Sequence, residues 1–327
     1  MAIACLSASS AVAPVKLLLP GGKGGIGFDD LGFSPTLRRI MVPAGRTGNL
    51  DLIDPTSRQI TSIGGFAVTS AFAGGHGEGI TSVDEGKGYL LVTDRTAKRL
   101  YIIDPRRHRA LTSAPLAASP DYVRFVAPTD EIWVTEPRAR RIEIFSLRAG
   151  TVPKPVHAGF IAVRSGPESL VIDRRGGRAF TNSWQGTTMA IGLKQRAITA
   201  RWSNGCQGAR GLALDSVRNL LFTGCAEGKL TVFDLHDGKL RGSVSSGNGV
   251  DIIAYNSQLR HVYVPGADSA TMTIVGISPA GKPSVLATVK TASGAHCVIS
   301  DDADEIYVCA PAAGSLLIYQ DSFPTAR

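Results

Sequence analysis

Residues 206–235, CQGARGLALDSVRNLLFTGCAEGKLTVFDL, contain three short apolar segments separated by polar turns. The segments are GLALD, LLFTGC and LTVFDL, and the turns between them are SVRN and AEGK. A further turn, HDGK, leads into a fourth segment, LRGSVSS. Short apolar segments joined by polar, glycine-containing turns predict β-strands connected as hairpins. The stretch and its continuation to residue 246 therefore predict a four-stranded antiparallel β-meander.

The same unit recurs along the whole chain. When the units are aligned on their first strands, successive starts are 41 to 48 residues apart. The starts are Asp30, Glu78, Asp121, Glu168, Arg210, Asp251 and His296. A period of about 40–50 residues with four strands per unit is typical of β-propellers. The sequence thus predicts an all-β fold, a seven-bladed β-propeller of four-stranded antiparallel blades.

The two ends of the chain predict how the ring closes. The seventh unit ends after its third strand, near Gln320, while residues 15–19 form one apolar segment before the first unit. If this N-terminal segment completes the last blade, no strand edge is left open to other chains. We therefore expect residues 15–327 to form a single domain.

Four second-strand segments carry a family resemblance. They are LLVTD (90–94), IWVTE (132–136), VYVPG (262–266) and IYVCA (306–310), each followed by a turn and a third strand. With these segments the chain resembles the YncE-like, or YVTN-repeat, family of seven-bladed propellers from about residue 15 onward, although no unit spells YVTN. The resemblance implies a secreted, periplasmic or surface protein. It also implies the ligand or nucleic-acid binding that is described for some members.

The composition and the N-terminus bear on location. Hydrophobic residues make up 43% and charged residues 19%, which is typical of a soluble globular protein, and no apolar run reaches the roughly 18 residues of a membrane span. The N-terminus, MAIACLSASSAVAP, is small and apolar, with Ala11 and Ala13 spaced like an A-x-A cleavage site, but it lacks a basic start. We interpret residues 1–14 as a truncated signal or leader segment, and we expect a periplasmic or secreted monomer.

Four of the five cysteines lie in the last three units. In the hairpin register, Cys297 lies opposite Cys309, and Ala209 lies opposite Cys225 with Cys206 three residues before it. Opposite residues of antiparallel strands have Cα atoms about 4.5–5.5 Å apart, within the range of a disulfide. We predict the disulfides Cys206–Cys225 and Cys297–Cys309. Buried free thiols are the alternative, and a metal site comes third, because the two cysteine pairs lie on different blades.

The first residue of each first strand is expected at the mouth of the central channel. These are the seven starts given above, of which five are carboxylates and two are Arg210 and His296. Converging carboxylates repel one another unless a cation, water or a polar ligand compensates them. His76, in a long connector, and Trp184, in a loop after a second strand, are expected at the same mouth. The predicted ligand-binding residues are Asp30, His76, Glu78, Asp121, Glu168, Trp184, Arg210, Asp251 and His296.

Three functions compete for this mouth and its opposite face. The first is a binding or interaction module for a small molecule, cation or protein at a mainly acidic mouth. The second is a metal-dependent, lactonase-like hydrolase that holds a Ca²⁺-type ion with Glu78, Asp121, Glu168 and Asp251, because hard oxygen ligands dominate. The alternative to both is a polar, hydrated mouth without a ligand.

The third function is nucleic-acid binding. The formal net charge is +8, and many arginines lie in the turns opposite the ring. These turns lack aromatic residues for base stacking, so solvated turns are the preferred interpretation. The glycine-rich segment GGKGGIG (21–27) has no Ser or Thr after its lysine, and no H-E-x-x-H, G-x-S-x-G or C-x-x-C occurs. A binding module is therefore favoured over an enzyme.

Overall fold

The computed structural model describes residues 13–148, 150 and 152–325. The predicted leader, residues 1–14, lies outside the described residues except for its last two. Twenty-eight strands form seven separate four-stranded antiparallel sheets, with only three short 3₁₀ turns in the described chain. The seven-bladed propeller predicted from the repeat is confirmed.

The strands follow one another blade by blade. The first three blades contain β2 (Gly32–Ser34), β3 (Arg39–Pro43), β4 (Leu50–Ile53), β5 (Ile60–Ile63), β6 (Ile80–Gly86), β7 (Tyr89–Asp94), β8 (Arg99–Asp104), β9 (Arg109–Pro115), β10 (Val123–Val126), β11 (Glu131–Glu136), β12 (Arg141–Arg148) and β13 (Lys154–Ala162). The next two contain β14 (Glu168–Asp173), β15 (Arg178–Ser183), β16 (Thr187–Gly192), β17 (Ala197–Ser203), β18 (Ala209–Asp215), β19 (Leu220–Cys225), β20 (Lys229–Asp234) and β21 (Leu240–Ser245). The last two contain β22 (Ala254–Asn256), β23 (His261–Gly266), β24 (Thr271–Ile277), β25 (Pro283–Lys290), β26 (Val298–Ser300), β27 (Glu305–Ala310) and β28 (Ser315–Gln320). The 3₁₀ turns are Ala127–Thr129, Pro137–Ala139 and Pro311–Ala313.

The N-terminal strand closes the ring. Strand β1 (Val15–Leu18) pairs antiparallel with β28, with Val15 opposite Ile318 and Leu18 opposite Ser315. The last blade is therefore built from both ends of the chain, in the order β1, β28, β27, β26. This is the predicted closure.

The core lies between the blades. Second and third strands are almost entirely buried, whereas fourth strands alternate between exposed and partly buried residues, as β17 does. Trp133, Tyr263 and Tyr307 are the largest fully buried side chains, and all three come from second strands. Since each blade covers one face of the next, the inner strands are fixed on both faces and hold the residues at the channel in place.

Both predicted disulfides are present. Cys206 and Cys225 are joined with Cα atoms 5.3 Å apart, and Cys297 and Cys309 with Cα atoms 5.6 Å apart. Each bridge stays within one blade. No helix among the described residues has the length and hydropathy to cross a membrane.

Candidate functional site

The first strands begin later than predicted at several blades. Strands β22 and β26 start at Ala254 and Val298, whereas the predicted starts were Asp251 and His296. The reason is that the backbone at the ring positions bonds to the neighbouring blade. The N–H of Gly211 donates to the carbonyl of Asp251 at 2.6 Å, and that of Ile252 donates to the carbonyl of His296 at 2.9 Å. These bonds fix Arg210, Asp251 and His296 side by side around the mouth.

A second repeat position also lines the mouth, namely the residue directly after each second strand. In blades two to four this residue is Arg95, Pro137 and Trp184, and all three line one cavity of about 570 Å³. We call this cavity the polar chamber. It is lined by His76, Gly77, Arg95, Ser119, Pro120, Asp121, Pro137, Arg138, Glu168, Trp184, Arg210 and Asp251.

Three carboxyl groups, those of Asp121, Glu168 and Asp251, face the polar chamber together. Burial raises the pKa of Glu168 well above its usual range, and the charges of Asp121 and Asp251 raise it further. Burial and the neighbouring charge of Asp29 likewise raise the pKa of Asp121 to about 7. Both shifts arise because ionised carboxylates in a poorly hydrated site are costly without sufficient positive charge. The indole N–H of Trp184 donates a hydrogen bond to Glu168.

Arg95 organises one wall of the chamber. Its Nη2 atom lies 2.9 Å from Asp29 and 2.5 Å from Asp121, so that one guanidinium serves two carboxylates. The same side chain donates to the backbone carbonyls of His76 at 2.7 Å and Pro120 at 2.9 Å. Arg95 therefore joins the first three blades and the connector above them.

His76 lies on that connector and forms an ion pair with Asp29, with 3.0 Å between Nδ1 and Oδ2. The charge of Asp29 raises the pKa of His76 to about 9, so that the ring is cationic at neutral pH. In turn His76 and Arg95 outweigh the effect of burial and hold the pKa of Asp29 below its usual value. Sequence reasoning did not identify Asp29, which stands one residue before the predicted Asp30.

The His76, Asp251 and His296 side chains bring ligand-type atoms within 4.8 Å of one another. The ring of His296, however, has Nδ1 2.7 Å from the carbonyl of Gly294 and Nε2 2.8 Å from the carbonyl of Phe28. Carbonyl oxygens only accept hydrogen bonds, so a ring nitrogen that donates to either carbonyl has no lone pair for a metal. These three residues could hold a metal only if His296 gave up one of those bonds.

The side chains of Arg210 and Asp251 have hydrogen-bonding groups that no other described residue engages. Within the described chain, Arg210 donates only a 3.4 Å bond to the carbonyl of Ala209 and has no carboxylate within 4.0 Å. The side chain of Asp251 makes no hydrogen bond to any described residue, and its carboxylate lies within 4.8 Å of ring nitrogens of His76 and His296. A guanidinium and a carboxylate from adjacent blades thus both face the cavity with free donors and acceptors.

Three predicted residues do not line the polar chamber, namely His296, described above, Asp30 and Glu78. Asp30 points deeper into the channel, where Arg124 binds both of its oxygens, at 2.5 and 2.9 Å, and Ser82 donates a 2.5 Å bond. Glu78 accepts a 2.5 Å hydrogen bond from the hydroxyl of Thr69 within the connector. The cations Arg95, Arg138 and His76 line the chamber as well. The chamber therefore carries charges of both signs, in contrast with the mainly acidic mouth expected from the ring positions alone.

The connector over the mouth explains the glycine-rich segment 21–27. A Cβ on Gly25 would lie 2.3 Å from the ring of Phe72, and a Cβ on Gly27 would lie 2.5 Å from the carbonyl of Gly75. Glycine at these two positions lets the connector approach the backbone closely. Arg46 fixes the segment from its other side, donating to the carbonyls of Gly25 and Lys23 at 2.7 Å each. The segment is a support for the connector.

Comparisons with known proteins place the chain by its fold. No protein-family model and no curated protein matches the sequence. A solved structure of the mitotic checkpoint complex contains a chain that is 14% identical, with a TM-score of 0.76 over 95% of this chain and 94% of that chain. The Cps50 (Swd1) β-propeller domain from Myceliophteria thermophila is 11% identical, with a TM-score of 0.75 over 94% of this chain and 100% of that chain. At these identities the likeness shows the propeller fold alone.

Proposed function

We propose that this protein is a binding module and that the polar chamber holds a small ligand with a cationic group. One observation carries the proposal: the carboxyl groups of Asp121, Glu168 and Asp251 converge on a single cavity. A protonated amine offers up to three hydrogens and a positive charge, which matches three converging acceptors. Propellers in general serve as interaction modules, and the scaffold here fixes all three residues on rigid inner strands or their junctions.

Arg210 adds a second recognition element. Its free guanidinium hydrogens stand beside Asp251 and suit a carboxylate or a similar planar anion. A ligand that uses both groups is dipolar, with its ammonium near the three carboxyl groups and its anionic group at Arg210. Trp184, whose side chain remains partly exposed, gives the chamber an aromatic wall.

A ligand panel tests the proposal. Thermal shift and calorimetry would compare glycine and lysine with putrescine, acetate and glucose. We expect the ammonium compounds to raise the Tm, Glu168→Gln and Asp251→Asn to abolish the effect, and Arg210→Ala to weaken binding of those that also carry a carboxylate. Asp237→Asn, in an outer turn, is the control carboxylate. If no ammonium compound shifts the Tm, or if the shift survives in Glu168→Gln and Asp251→Asn, the proposal fails.

We further propose that the chain is an exported member of the YncE-like family. Its seven blades and the resemblance of its second strands support the family assignment, and two disulfides suit an oxidising compartment. Fractionation of expressing cells tests export: the protein should be found outside the cytoplasm with these four cysteines resistant to alkylation. Recovery in the cytoplasm with alkylatable thiols would contradict it.

A metal-dependent, lactonase-like hydrolase is the competing proposal for the same mouth. Its calcium-type site would use Asp121, Glu168 and Asp251, and the His76, Asp251 and His296 cluster offers a second arrangement. Glu78, the fourth predicted ligand, is engaged by Thr69. Elemental analysis after purification without chelator, together with the Tm in EDTA, separates the two proposals. A bound divalent ion supports the hydrolase. If no metal is found and EDTA leaves the Tm unchanged, the hydrolase proposal is excluded.

Nucleic-acid binding through the basic turns is a weaker proposal. Many of their basic side chains already pair with acidic neighbours, which reduces the field available to phosphate. The pairs are Arg39–Asp54, Lys87–Asp130, Arg107–Asp104, Arg178–Asp173, Arg196–Glu131 and Arg218–Asp215. We expect weak retention on a DNA column; tight retention with a steep salt dependence would favour this function.

A further inference from the structure

A second cavity, of about 470 Å³, lies beside the polar chamber at the mouth. Three residues, His76, Arg210 and Asp251, line both cavities and form the boundary between them. The second cavity extends from this boundary over blades five to seven, beneath the connector. Small or apolar residues form most of its lining, and its polar residues beyond the boundary are Asp268, Ser293 and His296. We call this cavity the apolar groove.

The groove exists because the residue after each second strand is small in these three blades. These residues are Ala226, Ala267 and Pro311, at the repeat position that holds Arg95 and Trp184 in the polar chamber. Ala312 continues the same wall beyond Pro311. This repeat position therefore holds Arg95, Pro137 and Trp184 at the polar chamber and only small or apolar residues at the groove.

Phe72 closes the groove from above. It stands on the connector, lines the cavity and remains partly exposed. Its ring rests against the backbone of Gly25, where any side chain would collide with it at 2.3 Å. The ring is thus supported from behind, and it lines the groove together with Ala267 and Pro311.

We propose that the ligand of this mouth carries an apolar substituent, which the apolar groove binds while its charged groups stay at Arg210 and Asp251. The proposal rests on the proposed function and narrows it to an ammonium–carboxylate compound with an apolar side chain, such as a hydrophobic α-amino acid. The reason is the position of the charged pair. Because Arg210 and Asp251 stand on the boundary, a dipolar head bound there can extend a substituent into the groove.

The energetics of each half support the assignment. An apolar side chain gains free energy where it leaves water for Phe72 and the small residues of the groove. In the polar chamber the same side chain would cover the charged groups of Arg95, Asp121 and Glu168, which costs free energy unless each is compensated. Both cavities have volumes in the usual range of small-molecule sites, roughly 300–1,000 Å³.

Calorimetry with glycine and L-phenylalanine tests the proposal, because the two share the charged head and differ in the side chain. We expect the wild type to bind L-phenylalanine at least about tenfold more tightly than glycine. Phe72→Ala and Ala267→Leu should each bring this ratio close to one through weaker binding of L-phenylalanine. Val68→Ala, at a 70% exposed residue of the same connector, is the matched control and should keep the ratio.

The possible results distinguish failure of the groove proposal from failure of the proposed function. If both compounds bind with equal affinity and Arg210→Ala weakens both, the groove has no role and the proposed function stands. If the preference for L-phenylalanine survives in both Phe72→Ala and Ala267→Leu, the groove is not its site. If no ammonium compound binds, both proposals are overturned. Phe72→Ala alters a connector side chain outside the blades, so its result stands even where Ala267→Leu lowers the Tm.

Discussion

Arg95 shows how one side chain sets the charge of its neighbours. It lies close to both Asp29 and Asp121, yet the pKa of Asp29 is lowered while that of Asp121 is raised to about 7. Both carboxyls are buried, and burial raises the pKa of each. Asp29 additionally has the cationic ring of His76 at 3.0 Å, whereas Asp121 faces Asp29 and Asp251. Arg95, together with His76, therefore keeps the carboxylate of Asp29 ionised. Asp121 has the raised pKa and keeps its proton up to about pH 7.

The buried carboxyl group of Asp51, away from the mouth, leads to a prediction about the free energy of unfolding. It is fully buried on β4, accepts a 2.6 Å bond from Ser62 at one oxygen, and its other oxygen has no partner among the described residues. Burial raises its pKa to about 6, although the Ser62 bond opposes the shift. At pH 8 the folded state must therefore hold a costly charge. We expect Asp51→Asn to raise the free energy of unfolding by about 1–2 kcal/mol at pH 8 and by less at pH 4.5.

Urea unfolding at the two pH values measures this difference. Asp54→Asn is the control, since backbone N–H groups bind the Asp54 carboxylate and lower its pKa. Asp54→Asn should lower the free energy of unfolding at pH 8, whereas Asp51→Asn should raise it. An equal effect of Asp51→Asn at both pH values would contradict the buried-charge explanation.

At the scale of strands, the closing blade has an edge that only β1 protects. Strand β1 supplies four residues that pair with β28, and three of them, Val15, Lys16 and Leu18, are exposed. Without β1, strand β28 would present its unpaired backbone groups to solvent and to other chains. We expect removal of residues 1–18 to lower the Tm by more than about 4 °C and to produce oligomers on size-exclusion chromatography. Removal of residues 1–14 leaves β1 intact and should change neither; an unaltered Tm in the longer deletion would show that β28 tolerates an open edge.

The disulfide of the fifth blade supports the loop that leads to Arg210. Cys206 stands in the middle of this loop, between β17 and β18, and Cys225 is fully buried on β19. A bridge between residues separated by 19 positions restricts the unfolded chain. We expect the double substitution Cys206→Ala and Cys225→Ala to lower the free energy of unfolding by about 2–4 kcal/mol. Chemical unfolding with and without reductant measures it, and reductant should have no further effect on this blade in the variant.

At the scale of the whole molecule, the fold could be predicted from the sequence because each hairpin is formed by residues that are close together along the chain. Turn residues and alternating apolar segments recur every blade, and the register of one hairpin was enough to pair Cys297 with Cys309. The site followed only in part, because contacts between blades depend on which way a side chain points. Asp29 and Asp30 illustrate this: adjacent residues face opposite directions, so that one reaches His76 at the mouth and the other Arg124 inside the channel. The position of Arg95 was present in the repeat, as the residue after the second strand, and an alignment of that position would have revealed it.

The shifted groups at the mouth also predict how the stability of the whole propeller depends on pH. Asp121 and Glu168 have raised pKa values in the folded state, so that the folded protein binds protons more tightly than the unfolded chain above about pH 4. From about pH 6.5 upward, His76 adds to this difference in bound protons, because its pKa in the folded state is raised to about 9. Where the folded state holds more protons, stability falls as pH rises. We therefore expect the Tm to be higher at pH 5 than at pH 8.

Thermal unfolding between pH 5 and pH 9 at constant ionic strength measures this slope. Glu168→Gln removes one of the responsible groups and should flatten the curve, whereas Asp237→Asn should leave it unchanged. A cationic ligand that stabilises the ionised carboxylates would oppose the decline and should bind more tightly as pH rises from 5 to 8, with release of protons. A Tm that rises from pH 5 to pH 8 in the free protein would mean that Asp121 and Glu168 are already compensated in solution, and the case for an ammonium ligand at the mouth would fall with it.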